Sequence, residues 1–307
     1  MANAVFTTRL SPSYDDVPEE RYHFPKRYLS TAQHTVGDWV VYYEPRRTGQ
    51  EANKVGGRQA YFAMARISAV SDDPAKPDHY YAYVEAGSYI NFVNPVPFKQ
   101  GDDYFESRAQ RDDGGTSKGW FGWSVRPLPR EEFERIVAAG MTMDLRPYER
   151  PAQSPPSATL YGFSDVNVAY EYERPIVEQT VARPYRDQAF RRVVRDAYDN
   201  RCAVSGLKLI NGGGRPEVEA AHIKAVEHKG PDSVRNGLAL SGTFHWLFDR
   251  GLISIDKDYT ILKARGQIPD ELLPLFPRDN TLRLPDDQRL WPHDEYMRHH
   301  RETVFKG

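Results

Sequence analysis

The chain has 307 residues, 39% of them apolar and 27% charged, with 23 Pro and 22 Gly; this is enough for about two ordinary domains and excludes a collagenous or disordered chain. Its 41 Lys and Arg stand against 43 Asp and Glu, which excludes a globally basic nucleic-acid coat but leaves room for a local basic surface. Apolar runs such as residues 60–65 fall far short of the ~18 residues of a membrane span, MANAVFTTRLS lacks the features of a secretory signal, and the single cysteine, Cys202, excludes an internal disulfide or a CxxC zinc ribbon. A soluble, cytoplasmic protein with no membrane partner is expected.

Residues 38–43 (DWVVYY), 59–70 (QAYFAMARISAV) and 79–85 (HYYAYVE) are rich in Val, Tyr, Phe and Trp and are separated by Gly, Pro and Asp clusters, which predicts strands. Residues 130–140 (REEFERIVAAG) read as a helix with Phe133, Ile136 and Val137 on one face and Gly140 at its end. Short strands with few helices predict a small, curved β-barrel. Residues 147–158 (PYERPAQSPPSA) hold four prolines and read as a linker. The chain therefore divides into a first domain over 1–147, a connecting segment over 148–180 and a second domain over 181–307.

After the linker the period changes. Over residues 187–198, Phe190, Val193, Val194, Ala197 and Tyr198 recur at helical spacing, and the other face carries Arg191, Arg192 and Arg195, either solvated or set to contact phosphates. Cys202 reads as a small buried residue. The NGGG run at 211–214 is a hairpin loop and, with no GKS/T after it, not a phosphate-binding loop. His228 reads as exposed loop, and His293, His299 and His300 as the surface of a polar C-terminal helix.

Residues 218–249 carry the chemistry. Val218 to Ile223 read as a strand ending in His222, followed by a polar loop, Asn236, and the apolar Leu238, Ala239 and Leu240. Ser241 or Thr243 can cap a helix that presents His245 and Asp249 four residues apart on one face, with Gly251 just past its end. That spacing suits two ligands of one divalent ion. Phosphodiester hydrolysis needs a base to deprotonate water and a cation at the leaving oxygen; a strand histidine can be the base, and Asn236 can fix the loop that orients it. Residues 252–262 read as a hairpin beside this unit.

The segments RCAVSG (201–206), AAHI (220–223), RNGLAL (235–240) and HWLFDRG (245–251) together resemble the HNH endonucleases, over roughly residues 185–265. The resemblance implies a ββα-metal fold, with His222 as general base, Asn236 as loop-orienting residue, and His245 and Asp249 as ligands of a divalent metal ion (Mg²⁺, Mn²⁺, Co²⁺ or Ni²⁺). Many members carry Asp or His before the base, where this chain has Ala221. Glu219, two residues back on the same strand side, is the candidate replacement. Without it the metal keeps two protein ligands plus phosphate and waters; a different assignment makes His222 a ligand.

The first domain is aromatic-rich. Residues 37–43 (GDWVVYY), then a polar loop with Arg46 and Arg47, then a long strand, resemble the opening of PUA-like domains, the superfamily of the EVE, YTH and SRA modules. Tyr61, Phe62, Tyr81 and Tyr83 read as barrel core, whereas Trp39, Tyr42, Trp120 and Trp123 are candidates for a modified-base pocket and Arg46 and Arg47 for backbone contacts. The two resemblances imply an α+β chain, a PUA-like barrel joined to an HNH nuclease: a modification-dependent, type IV-like restriction endonuclease acting on modified cytosine in double-stranded DNA. A homodimer would let two sites cut both strands, though nothing in the sequence shows one. The alternatives are an HNH nuclease without modification dependence, such as a toxin or nicking enzyme, and a nucleic-acid-binding protein with a degenerate site.

Overall fold

The structure is a computed structural model that describes residues 2–8, 16–46, 57–142 and 182–307. The expected connecting segment at 148–180, and Arg47, lie outside the described residues. The chain is α+β. Seven strands form one sheet: β1 (Asn3–Thr7), β2 (Arg21–Pro25), β3 (Trp39–Glu44), β4 (Ala60–Asp72), β5 (His79–Val84), β6 (Ile90–Pro97) and, after a small hairpin of β7 (Lys99–Gln100) and β8 (Asp103–Tyr104), β9 (Val125–Leu128). The strand order is β2-β5-β4-β3-β1-β9, with β6 also paired to β4. All pairs are antiparallel except β1 with β3.

The 13-residue β4 pairs with β3 and β6 through its first half and with β5 through its second. Register shifts at Tyr42/Tyr43, Tyr61/Ala63 and Ile67/Ala69 insert extra residues that bend the sheet. Among the described residues no ladder joins β2 to β9, so the sheet is curved but open, and the expected closed barrel is not found.

Alternation along β1 and β3 divides the core. Phe6, Tyr42 and Ile67 pack on one face with Ala32 of α1 (Leu29–His34). Val5, Val41, Tyr61 and Met64 pack on the other with Phe133, Ile136 and Val137 of α3 (Arg130–Met141). Between them lies α2 (Lys118–Phe121). Tyr61 is core as expected, but Tyr81 is half-buried and Tyr83 is exposed, because Ala82 and Val84 are the inward residues of β5. An ion pair is sealed under this layer. Arg126 and Glu106 are 0% and 1% exposed and meet through two bonds of 2.8 and 2.7 Å. Tyr61 Oη and Trp120 Nε1 donate to the same carboxylate, each at 2.7 Å.

In the second half, α4 (Arg183–Ala197) lays Phe190 and Val194 against the antiparallel pair β10 (Glu219–His222) and β11 (Gly237–Leu240). The helix starts earlier than the periodicity predicts, with Pro184 in its first turn, where a missing N–H costs nothing. Next come α5 (Gly242–Asp249), the hairpin β12 (Ile253–Ile255) with β13 (Ile261–Lys263), and α6 (Asp294–Thr303). Gly251 ends α5 at φ +69°, and a Cβ there would lie 2.0 Å from the Val304 carbonyl oxygen. Cys202 is fully buried and His228 is exposed.

His300 corrects the reading of the C-terminal histidines as surface. It is 2% exposed, stacked on Phe248 at 3.8 Å, and bonded to Ser254 Oγ and the Phe248 carbonyl. The helix periodicity turns His300 inward with Tyr296 and Met297, while His293 and His299 are half-buried. Burial, only partly opposed by the Phe248 carbonyl, pushes its pKa down to about 4. The unfolded chain takes up this proton below about pH 6.5, whereas the folded protein resists until about pH 4, so stability is lost as pH falls through that window. Urea unfolding at pH 7.5 and pH 5 should show His300 contributing about 2 kcal/mol of the loss. His300→Gln should lower stability at pH 7.5 and flatten the pH dependence; an unchanged slope would contradict the assignment.

Candidate functional site

The strand pair and α5 form the expected two-strand-and-helix unit, which brings the four motif residues into one region. His222 ends β10 opposite Gly237. Its ring stacks on Phe190 at 3.8 Å and 10°, and its Nε2 lies 3.0 Å from Asp232 Oδ1. Asp232 is 2% exposed and its other oxygen accepts from Arg186 Nε and Nη2, both at 2.9 Å. The imidazole therefore has an apolar wall, a charged anchor and a remaining edge toward the cavity. A histidine so held can take a proton from water.

Asn236, fully buried, is the loop clamp. Its Oδ1 accepts from Lys224 N at 2.9 Å, and its Nδ2 donates to the carbonyls of Lys224 at 2.9 Å and Pro231 at 3.0 Å. Ser241 occupies the N-cap of α5, but its side chain makes no cap bond; Glu217 Oε1 instead accepts from Gly242 N at 3.0 Å.

On α5, His245 Nε2 and Asp249 Oδ2 are 3.5 Å apart, close enough for both to bind one cation. Glu219 Oε2 lies 2.9 Å from His245 Nδ1. A carboxylate on the far nitrogen fixes the tautomer and presents the other nitrogen to a metal, so Glu219 sits as a support for His245. Among the described residues no group of three His, Cys, Asp or Glu side chains could hold a metal by itself. The donor set fits a divalent ion held by two side chains that leaves positions for phosphate and water.

Two cavities meet at His245. One, about 600 Å³, is lined by His222, His245 and Asp249, together with His228 and His299. The other, about 730 Å³, runs past Arg191, Arg195 and Arg215 to Glu219 and His245. Arg192 does not line it and pairs with Asp196 at 3.7 Å. Sequence reading missed Asp232, Arg186, Phe190 and Arg215. The helix periodicity places Phe190 in the core and Asp232 falls in the polar loop, and neither position signals a contact with His222.

The candidates for a base pocket do not converge. Tyr42 is fully buried among Phe6, Phe62 and Tyr89 and belongs to the core. Trp39 is half-buried against the second core face. Trp120 and Trp123 do meet, at 6.0 Å and 27°, and Trp123 is 52% exposed. Arg46 is exposed.

Residues 202–256 match the family model HNH_2, HNH endonuclease. No curated protein matches the chain. Among solved structures, a "Modification dependent TagI restriction endonuclease" is similar at 14% identity and TM-score 0.31, over 97% of this chain and 81% of that one. A "Type IV phosphorothioation-dependent restriction endonuclease ScoMcrA" is similar at 13% identity and TM-score 0.23, and the 97% of this chain that aligns spans half of that one. At these scores neither likeness bears on this chain's fold or target. Residues 202–256 are an HNH endonuclease domain, and the chain is a nuclease.

The support role of Glu219 is testable with the protein alone. In calorimetric titration with Mn²⁺, Glu219→Gln should weaken binding about 10–100-fold, the usual effect of losing a carboxylate behind a ligating histidine, and Asp249→Ala should abolish it. An unchanged affinity for Glu219→Gln would remove Glu219 from the site.

Proposed function

We propose, from the HNH endonuclease domain at residues 202–256, that the chain is a modification-dependent, type IV-like restriction endonuclease. In this reading residues 1–147 recognise a modified cytosine in double-stranded DNA, residues 148–180 connect, and residues 181–307 hydrolyse the phosphodiester bond. A homodimer would supply a site for each strand. The observation that carries the nuclease reading is the arginine-walled groove that ends at His245 and Glu219 and adjoins the His222 cavity. Arg191, Arg195 and Arg215 suit a phosphate backbone, which is recognised by charge.

His222 removes the proton from an attacking water, with Asp232 holding the ring and balancing the imidazolium that results. His245 and Asp249 would hold Mg²⁺, Mn²⁺, Co²⁺ or Ni²⁺, which when bound supplies charge stabilisation at the leaving oxygen. Asn236 keeps the loop between base and anchor closed. In the first domain, Trp123 stacked on Trp120, with Arg108 over the Trp120 ring at 5.5 Å, offers an aromatic platform with a nearby cation. Stacking on such a surface is worth about 1–3 kcal/mol per base.

His222→Ala should cut about 10²–10⁴-fold more slowly with DNA binding intact; wild-type cleavage by that variant ends the assignment of the base. Fluorescence anisotropy on matched duplexes with plain or modified cytosine, at two salt concentrations, tests the reader. Preference for the modified duplex should persist at both and drop in Trp123→Ala. Equal affinities throughout would leave a nuclease without modification dependence.

A further inference from the structure

We propose that the N-terminal sheet is a working part of the nuclease site, with Asn91 and Glu19 as positioning residues for the base. The inference rests on the assignment of His222 as that base. The short segment before β11 carries Asp232, whose Oδ1 lies 3.0 Å from His222 Nε2. Asp232 and the three residues that follow it are each held by the other half of the chain, through β6 or through Glu19 in the turn before β2. The Asp232 backbone forms a parallel bridge with Ile90 at the start of β6. Ser233 Oγ donates to Glu19 Oε1 at 2.9 Å. Val234 N donates to Asn91 Oδ1 at 2.8 Å, and Arg235 Nη1 donates to Glu19 Oε2 at 3.2 Å. Asn91 is itself oriented by donating to Tyr89 Oη at 3.3 Å.

Apart from the half-buried Arg235, the groups in these contacts are buried. Glu19 is 5% exposed, Asn91 9%, Asp232 2% and Ser233 0%. A buried hydrogen bond that loses one partner leaves the other unsatisfied, so such contacts hold position tightly. Asn236 fixes the segment from the nuclease side, and β6 with Glu19 fixes it from the sheet side. The path from Asn91 to the imidazole runs through Val234, two residues along the chain to Asp232, and one hydrogen bond. A shift of β6 is therefore transmitted to the acid that aims the base. The two halves also meet at Glu44 and Arg289, 3.2 Å apart; among the described residues this pair makes no hydrogen bond to residues 232–235, although the turn of Arg289 packs beside Val234, and it serves as a control for contact without a hydrogen bond to that segment.

The test uses the full chain in Mn²⁺, with supercoiled plasmid prepared plain and cytosine-methylated in parallel, and reads the single-turnover cleavage rate across DNA concentrations. Asn91→Ala and Glu19→Gln should each lower the saturated rate about 10–100-fold, the usual consequence of a misplaced catalytic group, with half-saturation unchanged. Glu44→Gln should lower thermal stability and leave the rate within about twofold. In an Asp232→Asn background, Asn91→Ala should add less than about twofold, because residues acting through one another are not additive. Rates for Asn91→Ala and Glu19→Gln equal to that of Glu44→Gln would overturn the proposal. So would an effect confined to half-saturation, or one that multiplies with Asp232→Asn. Glu19→Gln preserves the shape of the side chain and decides the matter should Asn91→Ala not fold. His222→Ala separates the two readings: if it cuts normally the base assignment fails, whereas if it is inactive beside a fully active Asn91→Ala, the coupling alone fails.

Discussion

The closed loop between β10 and β11 is the constraint on which the site depends. A histidine at the end of a short strand has freedom that packing alone does not remove, and the loop removes it. Asn236 is suited to this because one amide side chain satisfies a backbone N–H and two carbonyls at once. The geometry is tight enough that Gly230 has no room for a side chain: a Cβ there would lie 1.9 Å from the Lys224 carbonyl oxygen and 2.9 Å from Asn236 Nδ2. With the loop closed, Asp232 stands beside His222, and β11 returns in register to carry the chain into α5 and the metal-facing pair.

Polar rather than apolar contacts fix the places where function needs a defined geometry. The buried Arg126–Glu106 pair gives little net stability compared with an apolar replacement, because both charges are dehydrated. What it gives is direction: the carboxylate also receives Tyr61 and Trp120, and Arg126 donates to the Trp123 carbonyl at 3.0 Å, so both tryptophans of the aromatic platform hang from one ion pair. The contact between the halves follows the same logic, with Glu19 serving Ser233 and Arg235 together. An apolar interface of the same area could slide; these bonds have one register.

Much of the nuclease half was legible because its signals are local. His245 and Asp249 share a helix face by spacing, Gly251 ends that helix, and the strand ending in His222 precedes its return strand by one loop. The residues that complete the site were illegible for the opposite reason. Phe190, Arg186 and Arg215 reach it from other elements, and a core helix position gives no sign that its ring will stack on the His222 imidazole. The sheet was harder. The sequence does not predict β1, β2, β6 and β9, since strands of four or five residues and a strand interrupted by Pro95 carry weak alternation. Tyr42 shows the limit most plainly: on β3 four consecutive residues from Val40 to Tyr43 are buried, so both faces of the strand are core and no alternation marks which aromatics are accessible.

The charge distribution connects the two halves functionally. A chain of formal net charge −2 has no long-range pull toward nucleic acid, and its basic residues act where they are gathered. The groove beside His245 gathers three arginines, and a protein that neutralises only a few phosphates releases fewer counter-ions and binds non-specifically more weakly than one making about six to ten such contacts. In the proposed reading, cutting at a defined place would draw affinity from elsewhere in the chain. The aromatic platform and the sheet that bears it are the available source, and that same sheet holds Asp232 through β6. In the proposed reading, engagement of DNA by the first half and alignment of His222 would therefore share one sheet.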